Sequence, residues 1–290
     1  MVLQLDSIPE NKGSQENKKS QSKKKRDNYL YAPFQYIGSK RRELEIIDKH
    51  APPEFNLVID AFGGGGSVSL FYEQKKPEAK IIYNDVAKGL TTLFKIMQDE
   101  KQIKELCDWF NVQPVTNEVL REYQKDLADP CKFLYCLKRG FRGIPTSSMI
   151  NMRKTNGVNA ANHDKLDSAE LLKYLSHYQR MTILNQNAID LIKEHKDNPN
   201  AFIYLDPPYL DKGTYNGCYD RFELKDIHEI ISILKDPSTK AKIMLHIDFS
   251  GYTYDVLKDH MKTYYPSNYN VTYLDGKKYH KRYQMIATNY

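Results

Sequence analysis

No apolar run in this sequence approaches the roughly 20 residues of a membrane span. The N-terminus also has no apolar h-region, so neither a spanning helix nor a secretory leader is expected. Cysteine is scarce: Cys107, Cys131, Cys136 and Cys218 form no CxxC pair and show no zinc-type spacing with histidine. That argues against a disulfide framework and a structural zinc site, and for reduced thiols in a cytosolic protein. Two glycine signatures are missing as well. The GK[ST] order of a phosphate loop is absent. The dinucleotide pattern GxGxxG is unmet, because Val68 or Ser69 falls where its third glycine belongs, which argues against NAD. No internal repeat and no convincing Ser-His or Cys-His nucleophile set is present.

What is present suits one large α/β domain, or a core with a smaller inserted domain: 290 residues, 40% of them hydrophobic. The net charge of +6 is compatible with a polyanionic partner. Half of it lies in residues 1–28, where Lys12, Lys18, Lys19, Lys23, Lys24, Lys25 and Arg26 oppose Asp6, Glu10, Glu16 and Asp27. This polar stretch reads as a disordered basic tail, either merely solvated or an aid to sliding on nucleic acid.

The chain is organised around Ala201–Leu205, a short apolar run of the length of an inner parallel strand, which stops at Asp206-Pro207-Pro208-Tyr209. Each proline fixes φ and lacks an N–H, so the chain can neither stay in the sheet nor enter a helix there. A carboxylate, a carbonyl and an aromatic ring are therefore held at a sheet rim, where open α/β sheets bind ligands. Leu57–Asp60 is a second strand, followed by Ala61-Phe62 and four glycines, and a helix starts near Val68. Strand, Gly-rich turn and helix point to a nucleotide-type ligand, with the glycines allowing close backbone approach. Ala79–Asp85 is the next strand, and Asp85 stands where an acid can bond ribose hydroxyls. Upstream, Pro33–Lys40 is an aromatic turn ending in a lysine, with a helix expected over 41–50. Met181–Leu184 and Ala241–Ile247 read as further strands, Phe222–Leu234 as a helix, and 271–274 with 283–288 as a closing antiparallel hairpin.

Residues 99–178 break the alternation of strands and helices. They read as helices near 102–110, 117–127 and 131–138, then a polar, basic, turn-rich segment. Its Arg139, Arg142, Asn151, Arg153, Lys154 and Asn156 are side chains of the kinds that reach phosphates and base edges; a solvated surface loop is the alternative.

Taken together, these motifs resemble the Dam-type (D12 class) DNA adenine-N6 methyltransferases over about residues 31–290. Asp206-Pro207-Pro208-Tyr209 looks like that family's catalytic DPPY. The run from Asp60 to Val68 is similar to its cofactor loop, Tyr36–Lys40 to its N-terminal cofactor motif, and Asn84-Asp85 to its ribose-binding segment. Phe133–Tyr135 with Gly140–Gly143 resembles the start of its recognition hairpin, and Ile286–Tyr290 its terminal strand. Arg142 departs from the asparagine common in the family, and the Lys-rich tail is not a usual family feature.

The resemblance implies a Rossmann-like methyltransferase fold, a mixed and mostly parallel sheet over 29–98 and 179–290, with a mainly helical DNA-recognition insert at 99–178. It implies S-adenosylmethionine as cofactor, held by Tyr36, Gly38, Lys40, Asp60, Phe62, Gly63, Asp85 and Asp206. Asp206, Pro207 and Tyr209 would act on an adenine flipped out of duplex DNA. A monomer acting without metal, in the cytoplasm of a bacterium or phage-infected host and associated with the nucleoid through DNA, is expected. Methylation of cytosine N4, RNA adenine or a protein glutamine is the rival chemistry. Asp at position 206 and the large insert favour duplex adenine. A DNA-binding protein with a vestigial fold is the rival class, against which Asp60, Asp85, Asp206 and Tyr209 all stand intact.

Overall fold

The computed structural model describes residues 29–150, 154–155, 158–159, 165–208, 222–248, 250–272 and 279–290. The basic tail lies outside them. Seven strands form one sheet: β1 (Leu57–Asp60), β2 (Lys80–Asn84), β5 (Met181–Leu184), β6 (Ala201–Leu205), β7 (Lys242–Asp248), β8 (Met261–Thr272) and β9 (Tyr279–Thr288). Their spatial order is β5-β2-β1-β6-β7-β9-β8. The first five are parallel, and β9 and β8 close the sheet as an antiparallel pair. β3 (Lys154–Thr155) and β4 (Val158–Asn159) form a separate short pair.

Alternation along the strands feeds two cores. Val58, Phe202, Tyr204 and Met244 pack on one face, and Ile59, Ile203, Leu205 and Leu245 on the other. Helices cover both faces, as strands buried on both sides require. The second face packs on Ile189 and Ile192 of the helix Ala188–His195 and on Ile227 and Ile230 of the helix Leu224–Lys235. The first packs on the helices Ser67–Lys75 and Lys88–Ile96, and its core runs unbroken into the insert through Phe110, Leu120 and Phe133. The stretch expected to be an insert is helical at Glu100–Val112, Asn117–Tyr123, Pro130–Arg139, Ser168–Leu172 and Leu175–Gln179. Its starts are legible locally: Asp99, Thr116, Asp129 and Asp167 each accept a backbone N–H at a helix N-terminus.

Two elements differ from the sequence reading. The expected helix over 41–50 is a 3-10 turn at Lys40–Arg42 followed by a helix at Leu44–His50. The closing hairpin begins ten residues earlier than expected, at Met261. That segment lacks apolar alternation and contains Pro266, so pairing with β9, not local pattern, makes it a strand. Among the described residues no helix is long and apolar enough to cross a membrane.

Candidate active site

β2, β1 and β6 are neighbours, and each delivers a carboxylate at its carboxyl end: Asp85, Asp60 and Asp206. The chain passes from β1 to β2 on one side, while β6 joins β1 on the other. This reversal of strand order opens a crevice at the rim. A cavity of about 710 Å³ lies there. Tyr36, Gly38, Lys40, Asp60, Phe62, Gly63, Asp85, Asp206 and Pro207 all line it, although they come from four separate stretches of the chain. Tyr209 lies outside the described residues.

Asp85 is buried, and the loops around it hold both carboxylate oxygens. Gly64 N–H donates to Oδ2 at 2.9 Å and Ala87 N–H to Oδ1 at 2.8 Å. Burial pushes its carboxyl up to about 6, with the two N–H bonds opposing the shift. Asp60 faces the same cavity, but its Oδ2 accepts from Ser69 N–H (3.2 Å) and Ser69 Oγ–H (2.8 Å), anchoring the first turn of the helix that follows. Burial pushes it up to about 7 against those bonds.

At Gly63 the missing Cβ makes room for protein, not only for ligand. An added Cβ would sit 2.2 Å from Tyr83 Cε2, and the Tyr83 hydroxyl donates to Gly64 O at 2.7 Å. The aromatic ring is thus the template on which the glycine turn is folded. Gly63→Ala should cost about 1–3 kcal/mol, the usual range for overpacking a tight site. Thermal unfolding of the variant checks this; an unchanged midpoint would mean that Tyr83 moves aside freely.

Lys40 and Asp206 are 166 residues apart and form a partly buried ion pair. Lys40 Nζ also donates to Gly38 O at 3.1 Å. Burial raises the Asp206 carboxyl above its ordinary value, and the Lys40 ammonium opposes that rise. Behind the pair lies His246, held neutral by burial and by the nearby Lys40 charge. Gln284 Oε1 can only accept, so His246 Nε2–H donates to it (3.3 Å) and Nδ1 accepts from the Tyr204 hydroxyl (2.9 Å). Tyr204 is thereby tied to β7 two residues before Asp206.

Sequence reasoning missed a clamp of amides. Asn84, fully buried, donates from Nδ2 to Ala61 O (3.0 Å) and Gln186 O (3.1 Å) and accepts from Gln186 N–H (3.0 Å). Asn185 Nδ2 donates to the carbonyls of Asp85 and Val86 at 2.8 and 2.9 Å. Asn187 caps the next helix by accepting from Ile189 N–H at 2.8 Å. These bonds tie the ends of β1, β2 and β5 together, and Asn185, Gln186 and Asn187 line the cavity. The signal was in the sequence: polar amides directly after a strand and before a helix mark a cap at a ligand-bearing rim. Phe222, set edge-on to Phe62 with ring centroids 5.7 Å apart, and Lys225 and Asp226 close the far side.

The insert's expected DNA contacts fare unevenly. Arg139 is only 3% exposed and its guanidinium lies 4.6 Å over the Phe110 ring. It faces the core, because the helix that ends at Arg139 buries that face, so the expectation of a DNA contact there does not fit its placement. Arg142 sits in the turn Phe141–Gly143. Gly143, at φ 68°, abuts the Gln35 backbone, where an added Cβ would meet Gln35 O at 2.7 Å. The turn carrying Arg142 therefore lies directly against the segment that places Tyr36 in the cavity. Lys154 belongs to β3, while Asn151, Arg153 and Asn156 lie outside the described residues. Among the described residues no group of three or more His, Cys, Asp or Glu side chains could hold a metal.

Comparison with known proteins agrees with this geometry. A family model described as D12 class N6 adenine-specific DNA methyltransferase matches residues 36–274. The modification methylase StsI of Streptococcus sanguinis is 25% identical over 271 residues, covering 85% of this chain and 40% of the relative. The chain thus spans about two fifths of that methylase's length. The type II methyltransferase M.CviBI of Paramecium bursaria Chlorella virus NC1A is 24% identical, covering 83% of this chain and 92% of the relative. M.MjaIII of Methanocaldococcus jannaschii, another type II methyltransferase, is 22% identical, covering 77% and 88%. A mixed, mostly parallel seven-stranded sheet with three carboxylates at its switch point, together with a family match over most of its length, shows that this chain belongs to the D12 class N6 adenine-specific DNA methyltransferases.

Proposed function

We propose that the protein transfers the methyl group of S-adenosylmethionine to the N6 amine of an adenine flipped out of duplex DNA. The observation that carries this reading is the position of the half-buried Asp206 carboxylate, in the same cavity as Asp85 and the glycine turn. A volume of about 710 Å³ is ample for a cofactor of this size. The donor set suits it too. Asp85 keeps lone pairs for ribose hydroxyls, since among the described residues each of its oxygens accepts one N–H. Tyr36, Gly38, Phe62 and Gly63 would line the remainder, with Asn187 and Gln186 offering amide groups to a base edge.

When bound, the cofactor supplies an electrophilic methyl group. The difficulty lies with the amine, whose lone pair is delocalised into the purine ring. The Asp206 carboxylate and the Pro207 carbonyl accept its two N–H bonds, which draws the lone pair out of conjugation and stabilises the positive charge that develops on nitrogen. Pro207 and Pro208 hold that carbonyl rigidly, because neither can donate or rotate about φ. Tyr209 stacks on the flipped base. The rest of the acceleration is alignment.

Parallel incubation of duplex DNA, RNA and protein with methyl-labelled cofactor tests the proposal. Label should enter DNA alone and be recovered as N6-methyladenine. Label in cytosine, RNA or protein, or none at all, would overturn it.

Recognition is assigned to the insert, with Arg142, Asn151, Arg153, Lys154 and Asn156 as the contacting residues. Arg142 is the first candidate for base reading, since its turn packs against the segment carrying Tyr36. A guanidinium gripping guanine O6 and N7 supplies about 1–3 kcal/mol of discrimination. Arg142→Ala should therefore relax preference at one base pair when methylation is scored over every single-base variant of the mapped site. A uniform loss would make it a phosphate contact.

A further inference from the structure

We propose that Glu43 is a positioning residue: it is the second seat of Lys40, taken up when the target amine occupies Asp206. The inference rests on the methyl-transfer reading above and deepens it. Lys40 is paired with Asp206, so the ammonium holds an oxygen on which the amine must dock. The amine and the lysine are both donors and compete for one carboxylate. Lys40 is only 6% exposed, and a buried ammonium cannot be left without a charged or polar acceptor. Gly38 O is within reach at 3.1 Å, but it is neutral.

Glu43 supplies the charged alternative. It follows Lys40 by three residues across the 3-10 turn Lys40–Arg42, and its backbone N–H donates to Lys40 O at 2.9 Å. Side chains three apart on such a turn share a face. Glu43 is 3% exposed, and its Oε2 is buried and accepts no hydrogen bond among the described residues. A buried carboxylate oxygen without a donor is costly enough to call for an explanation. Burial raises the Glu43 carboxyl, Lys40 lowers it and Asp206 raises it, so Glu43 lies within the field of both partners of the ion pair. Moving Lys40 Nζ from Asp206 to Glu43 changes a hydrogen-bond partner and breaks no covalent bond. It keeps the ammonium compensated inside the protein while Asp206 turns to the substrate.

The test is Glu43→Gln, which keeps the shape and removes the charge. kcat should fall by roughly tenfold or more, the scale of one charge-assisted hydrogen bond. KM for DNA, cofactor affinity by calorimetry and the thermal midpoint should stay near wild type. Because Glu43 acts through Lys40, Glu43→Gln should add little to the loss caused by Lys40→Gln. An unchanged kcat, or losses that add in the double variant, would overturn the proposal. So would a loss confined to cofactor affinity. If Glu43→Gln does not fold, Glu43→Leu, of similar size and without the carboxylate, is held to the same criteria. Wild-type protein run alongside separates the two claims. A wild type that methylates no DNA removes the methyl-transfer reading and this one with it. An active wild type with an indifferent Glu43→Gln removes only the second seat.

Discussion

Asp206→Ala should lower kcat for methyl transfer by about a thousandfold or more, at the upper end of the effect of removing one preorganised group that stabilises developing charge. Two consequences of the geometry make the loss large. The carboxylate would be the charged acceptor for the target amine, so the positive charge that grows on nitrogen would lose its counter-charge. The substitution also takes the Asp206 carboxylate from the buried Lys40 ammonium, while Gly38 O still accepts from it at 3.1 Å. A cation then faces the nitrogen that is becoming positive. Cofactor affinity should change little, since Asp85 and the glycine turn lie on neighbouring strands. Single-turnover transfer measured beside calorimetric cofactor binding separates the two effects. A variant retaining a tenth of the wild-type rate would sink the assigned role. A thermal midpoint recorded in parallel shows how much of any loss comes from breaking a partly buried ion pair.

The second large effect is expected on cofactor affinity. Asp85→Ala should weaken it by roughly ten- to hundredfold, the equivalent of about 1.5–3 kcal/mol for charge-assisted hydrogen bonds to ribose. The structure adds a reason for the upper part of that range. The Asp85 carboxylate also receives Gly64 N–H and Ala87 N–H, so its removal frees the glycine turn as well as the ribose. Asp85→Asn is the informative partner. Its single carbonyl oxygen can satisfy one of those two N–H groups, while its NH₂ opposes the other. Binding should therefore be weakened in Asp85→Asn too, and calorimetry reporting wild-type affinity for either variant would remove Asp85 from the cofactor site.

Much of the site could be read along the chain because its parts are local. Asp60, Asp85 and Asp206 each follow a short apolar strand, and the residues after them cannot continue it: glycines, a capped helix, two prolines. Strand ends at one edge of a parallel sheet must converge, so three such acids imply one rim. The fold class followed from the same alternation, and the run of helices after Asp99 from its break there. What the chain order did not disclose depends on neighbours distant in sequence. The pairing of Lys40 with Asp206 across 166 residues, the Tyr83 ring filling the place of a Gly63 side chain, and the Asn84 clamp are all contacts between strands. Arg139 shows the limit most clearly. In composition it belongs to a basic, turn-rich segment suited to DNA, yet it is buried on Phe110. Residue type sets what a side chain can bond. Which way it faces is decided by the helix that carries it and the core that this helix must cover, and that is settled only when the whole chain packs.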